Sequence, residues 1–162
     1  MVKSSFMDIG CNKAKTNEVL AAFGKLVENN ATDGALDFNT ISTQPFMPYW
    51  KYIILYRYLP NEDDFIVTMF GVQVGELHGE DWTGKKISEL GIGGEATKEM
   101  IKLNRMAMND GKIIYASGAV NFDKDEYRTW HQMKVPFKHQ GGASGVLVCM
   151  VSNWKDDLGE GA

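Results

Sequence analysis

Val146 to Val151 (VLVCMV) is apolar at every position. Neighbouring side chains of a strand point to opposite faces, so an unbroken apolar run of this length asks for burial on both sides. The chain therefore has to build a sheet with a covering layer on each face. One cover is expected from helices packed on the sheet, the other from an N-terminal helix or from a second subunit.

Four further segments read as strands. Lys51 to Leu59 (KYIILYRYL) and Asp64 to Phe70 (DFIVTMF) flank the turn Pro60-Asn61-Glu62-Asp63, which closes a hairpin. Lys112 to Phe122 and Glu126 to Phe137 precede the apolar run, itself part of Ser144 to Ser152, with breaks at Asp123-Lys124-Asp125 and His139-Gln140-Gly141-Gly142. The expected architecture is α+β with a five-stranded antiparallel sheet. Gly94 to Gly111 carries the longest core helix, with Ala96, Met100, Leu103, Met106 and Ala107 placed along one side. Between Lys13 and Asn29, Val19, Leu20, Phe23, Leu26 and Val27 recur at helical spacing behind Thr16 as N-cap. That stripe covers either its own domain or the same helix of a second copy. Thr32 to Tyr49, containing Pro45 and Pro48, reads as an extended connector.

Between the second strand and the long helix lies GVQVGELHGEDWTGKKISEL, Gly71 to Leu90. Its glycines at 71, 75, 79 and 84 prevent any long regular element, while Val72, Val74 and Leu77 still offer apolar contacts. Asp81-Trp82-Thr83-Gly84 is a turn cluster, after which Lys85 to Leu90 resumes a helical pattern. The Gly79 to Gly84 run, with Val135-Pro136-Phe137 and the Gly141-Gly142 turn, resembles the PAS domain family, specifically its stand-alone bacterial type. The resemblance implies short helices and one longer helix over one face of the sheet. It divides the chain into residues 1–34, an N-terminal segment with the amphipathic helix, 35–153, the PAS-like domain, and 154–162, a tail.

A chain of 162 residues, 44% hydrophobic and 23% charged, can bury a core without staples, and no second domain is expected. A formal charge of -4 gives no general attraction to nucleic acid or anionic lipid. No apolar stretch has the length of a membrane span, the first residues lack a signal core, and Cys11 and Cys149 make no disulfide framework. A soluble cytoplasmic protein is the expectation.

Alternation along the fourth strand puts Tyr127, Thr129, His131, Met133, Val135 and Phe137 on one face and Arg128, Trp130, Gln132 and Lys134 on the other, and the first set is taken as the inward, ligand-facing one. With Met100, Leu103, His78 and Trp82, the residues Tyr127, His131 and Met133 form the expected ligand-binding set. His131 is expected to be satisfied by a protein partner. His78 falls near the region that can supply an axial ligand in haem-binding PAS domains, but a lone histidine makes no haem site, and no haem is expected. Cysteinyl-flavin chemistry is rejected because no thiol stands between Cys11 and Cys149. His139, in a polar hairpin, is expected in solvent. No zinc spacing and no catalytic motif occurs, and Glu76, Glu80 and Asp81 around His78 read as solvated caps, so no enzyme role is expected. Nine methionines suit either plain core filling or an adaptable cavity for an apolar or aromatic ligand.

The resemblance thus implies a sensory or regulatory module that binds a small apolar or aromatic molecule, dimerises, and signals to another, unidentified protein. Its rivals are a scaffold whose interior is filled by its own side chains and a small isomerase-like enzyme, which would need an inward carboxylate.

Overall fold

The computed structural model describes residues 4–9, 12–123 and 126–152, and the side chains of 13–76, 78–118 and 129–152. In chain order the elements are β1 (Ser4–Ile9), α1 (Asn12–Thr16), α2 (Glu18–Asn30), β2 (Leu36–Asp37), α3 (Phe38–Ile41), β3 (Ile53–Leu59), β4 (Asp64–Phe70), α4 (Val72–His78), α5 (Gly94–Asp110), β5 (Ile114–Asp123), β6 (Glu126–Lys138) and β7 (Ser144–Ser152). Short 3₁₀ turns occupy Gln44–Tyr52, Ile87–Glu89 and Gln140–Gly142.

The class is α+β. One open sheet runs in the order β1-β5-β6-β7-β3-β4, with β2 attached to β6. Neighbours along that path are antiparallel, while β2 pairs parallel to β6 through Leu36–Phe137 and Asp37–Lys138. The five expected strands are present as β3 to β7. Among the described residues the sheet nevertheless has seven strands and one parallel pair, which corrects the expectation of five strands and a wholly antiparallel sheet. Both additions follow from backbone pairing. β5 would otherwise expose a row of unpaired N–H and C=O groups, and β1 caps it from Ser4–Asn121 to Ile9–Ala116. The segment SSFMDI carries little apolar alternation, and two residues of β2 carry none at all.

The register sets up two faces. Ile54, Val148, Lys134 and Ile114 lie in one row across β3, β7, β6 and β5, and Ile53, Cys149, Met133 and Tyr115 lie in the next, pointing the other way. Val146, Val148 and Met150 enter an apolar cluster with Tyr56, Val74, Trp82, Ile87, Ala107 and Trp130. Leu147, Cys149 and Val151 enter a second with Leu20, Phe23, Val27, Phe46 and Met133. The VLVCMV run is thus divided between two covers, as its composition requires.

The second cover is α2 of the same chain. Leu20 and Phe23 are fully buried and Val27 nearly so, while Val19 and Leu26 pack at the edge. Phe23 meets Phe46 edge-on at 5.9 Å and Tyr49 at 5.2 Å. Each such side chain removed from water stabilises the fold by about 1.5–3 kcal/mol, so this stripe is committed to its own domain. Residues 4–9 and 12–34 therefore belong to the same packed unit as the sheet, and 154–162 lie outside the described residues.

The helix begins one residue later than expected. Asn17, not Thr16, is the N-cap of α2, its Oδ1 accepting from Val19 N at 3.0 Å and Leu20 N at 3.1 Å. Asn17→Ala is expected to lower stability by about 1 kcal/mol, read as a shifted urea midpoint with an unchanged slope. The connector is also corrected: it is not extended but holds α3 and the Gln44–Tyr52 turn, with Pro45 in the first turn and Pro48 inside. A 3₁₀ turn suits proline's fixed φ and lacks the regular i→i−4 ladder that proline would break. The turn buries Phe46, and Trp50 Nε1 donates to Ile41 O at 2.8 Å.

Candidate functional site

β6 alternates as expected, but its faces are exchanged. Met133, Val135 and Phe137 pack with Leu20 and Phe23 on the α2 side, and His131 lies in register with Val151 of that same side. Trp130, Gln132 and Lys134 face α5 instead. Alternation separates two sets of residues; it does not say which set meets which cover when both faces are closed.

Lys134 is the consequence. It sits mid-sheet, only 2% exposed, with Ile114 and Val148 as its cross-strand neighbours and Trp130 four residues back on the same face. Its Nζ donates to Asn104 Oδ1 at 2.8 Å. Asn104 comes from α5, where Leu103, Asn104 and Ala107 are the fully buried positions. Met106, assigned to the inward stripe, is 38% exposed, because at about 100° per residue it lies roughly 240° around from Met100, whereas Asn104 lies only about 40° away.

Asn104 accepts but gives nothing back. Its Nδ2 is buried with no hydrogen-bond partner among the described residues. One turn before it, Met100 Sδ receives the Tyr56 hydroxyl at 3.9 Å, and Tyr56 is itself 2% exposed. Burial raises the Tyr56 phenol above its ordinary range. Burial also draws the Lys134 ammonium down from 10.5 to about 7, with no ion pair among the described residues to hold its charge. A buried amine with one neutral acceptor, beside an amide with idle donors, is a local stability loss that packing alone does not explain.

Of the expected ligand set, Met100 and Trp82 join the apolar cluster on the α4 and α5 side, and Leu103 is fully buried on α5. Trp82 is 3% exposed, stacks on His78 at 4.1 Å and on Phe70 at 5.2 Å, and donates from Nε1 to Glu80 Oε1 at 3.0 Å. This aromatic stack fastens α4 to β4. Asp81 does act as a turn cap, accepting from Thr83 N at 2.9 Å and Thr83 Oγ1 at 2.6 Å, which holds its carboxyl below the usual range. His131 and Met133 belong to the opposite face, and His131 Nδ1 lies 2.6 Å from Ser117 Oγ. The side chain of Tyr127 and all of Cys11 lie outside the described residues.

His139 is not in solvent. It is 7% exposed, packs on Phe137 at 5.0 Å and Phe38 at 5.8 Å, and bonds through Nε2 to Tyr56 O at 3.0 Å. Burial lowers its pKa, partly offset by that bond. The Gln140–Gly142 turn folds it back onto the sheet, a tertiary effect that hairpin composition does not announce. Cys149 is sealed on the α2 side, where burial pushes its thiol up and away from thiolate chemistry. Among the described residues there is no group of three or more His, Cys, Asp or Glu placed to hold a metal, and no helix long and apolar enough to cross a membrane.

Fold and site together define an α+β protein with a two-faced sheet and a lysine enclosed beneath its longest helix. Compared with known proteins, the chain matches no family model, no curated protein and no solved structure.

Proposed function

We propose that this chain is a cytoplasmic PAS-like sensory or regulatory module, which takes a small molecule between α5 and the sheet and signals through protein contacts. The reading is supported by the run of strands β3 to β7 with α4, the Ile87–Glu89 turn and α5 between β4 and β5. The observation that carries the reading is the Lys134–Asn104 pair: polar donors enclosed in an apolar layer, one of them idle, are what a binding site keeps at the expense of stability.

A route for the signal follows from the register. Lys134 and Val148 face α5, and their chain neighbours Met133 and Cys149 face α2. A molecule that favours one spacing of α5 over β6 and β7 would therefore favour one seating of α2, a shift between two packed arrangements. Since the Leu20, Phe23 and Val27 stripe is used internally, a second copy or a downstream protein would meet the outer side of α2, where Glu18, Ala21, Lys25 and Glu28 are exposed.

Mass spectrometry of the purified protein under non-denaturing conditions is the test. The expected spectrum shows a mass excess that disappears on denaturation. A spectrum at the bare chain mass, retained across expression hosts and growth media, would instead favour a scaffold filled by its own side chains.

A further inference from the structure

The hydrogen-bonding inventory beneath α5 is one-sided. A protonated Lys134 has three N–H donors and gives one to Asn104; the Asn104 amide has two N–H donors and gives neither to a described residue. The Asn104 carbonyl is already engaged by Lys134, the surrounding Ile114, Val148, Trp130 and Met100 bring no strong acceptor, and the buried Gln132 amide on the same face bonds to neither Lys134 Nζ nor Asn104 Nδ2. The tyrosine hydroxyls of this cluster are engaged elsewhere: that of Tyr56 is directed at Met100 Sδ, and that of Tyr58 donates to Asp63 Oδ1. The site therefore lacks an acceptor, and the acceptor that best suits an enclosed ammonium is a negatively charged oxygen.

The charge count narrows the class. Lys98, Lys102 and Arg105, the cations of α5, are all exposed, and Arg105 is paired with Asp63 at 2.7 Å, so among the described residues α5 turns no second cation inward towards a doubly charged phosphate or sulfate. One cation, neutral amides and apolar walls match a group with a single charge and two oxygens. We infer that the molecule bound between α5 and the sheet is a monocarboxylate with an apolar or aromatic body, its carboxylate received by Lys134 Nζ and Asn104 Nδ2. The inference rests on the ligand-binding reading above and adds the chemistry of the ligand's head.

Isothermal titration at pH 7 with octanoate and phenylacetate, against octanol and 2-phenylethanol as neutral counterparts, tests it directly. At least one acid is expected to bind on the order of tenfold to a hundredfold more tightly than its alcohol, the range for a charge-assisted hydrogen bond. Lys134→Met is expected to remove that preference. Asn104→Asp, which keeps the shape of the side chain and places a carboxylate beside Lys134, is expected to abolish acid binding while the protein stays folded. Equal binding of acid and alcohol, acid binding unaffected by both variants, or a neutral co-purified molecule in the mass spectrum overturns the carboxylate assignment and leaves the ligand-binding reading standing. Binding of no probe together with a bare-chain mass spectrum overturns both.

Discussion

Raising the pH from 7 to 9 is expected to stabilise the protein by about 2 kcal/mol, with Lys134 as the source. In the unfolded chain this lysine keeps its proton throughout that window; in the folded protein, where burial has lowered its pKa from 10.5 to about 7, it progressively loses it. The unfolded state therefore binds more protons, and stability climbs with pH. The whole penalty is present below about pH 7, where even the folded protein must hold a buried ammonium. His139, whose pKa is lowered from 6.5, acts in the same direction but has largely completed its contribution by pH 7. Above about pH 9 the sign is opposed: Cys149 and Tyr56 have raised folded pKa values, so their unfolded forms ionise first and pull the equilibrium towards unfolding. The rise is thus confined to a window, which separates it from a general charge effect. Urea denaturation at intervals between pH 6.5 and 9 measures it. Lys134→Met should flatten the profile and stabilise the protein at pH 7, and Lys134→Met with Asn104→Leu should do so more cleanly, because it also removes the amide left without its partner. A wild-type profile as flat as that of the variants would mean that Lys134 does not titrate in this range.

Residue patterns made the frame of this fold legible and left its polar interior hidden. The five strands β3 to β7 are long enough for alternation or continuous apolarity to mark them, and Val146 to Val151 alone required two covers. β1 was hidden because its place depends on the open edge of β5, a property of the assembled sheet. The candidate site was missed for a different reason. Alternation along β6 sorts its residues into two sets, and nothing in the strand's own pattern marks the set with Trp130, Gln132 and Lys134 as the one beneath α5. A corrective signal did exist: Asn104 falls within the same helical stripe as Met100, Leu103 and Ala107, and a polar residue there asks for a partner across the interface. His139 shows the same limit, since only a turn that folds back on itself can bury a histidine bounded by Lys138 and Gln140.

Gly145→Ala is expected to be the most damaging small substitution in the sheet, costing more than about 4 kcal/mol, enough to leave most domains of this size barely folded. Gly145 pairs with Arg57 on one side and Phe137 on the other, near the start of β7, the strand held between β3 and β6. A methyl group at this position would stand 2.1 Å from Tyr56 O and 2.7 Å from His139 Nε2. The first contact is with backbone and cannot be relieved by a rotamer change; it would force β3 away from β7 and break the face that carries both Tyr56 and Val148. Gly142→Ala is the matching control. That glycine has a φ of +82° but nothing within 4 Å of an added methyl, so only the left-handed backbone is penalised, at about 1 kcal/mol. His139→Ala in the Gly145→Ala background separates the two close contacts. It clears the imidazole but not the carbonyl, and is expected to recover little of the loss in thermal denaturation. Full recovery would show that His139, rather than the approach of β3, is what keeps residue 145 a glycine.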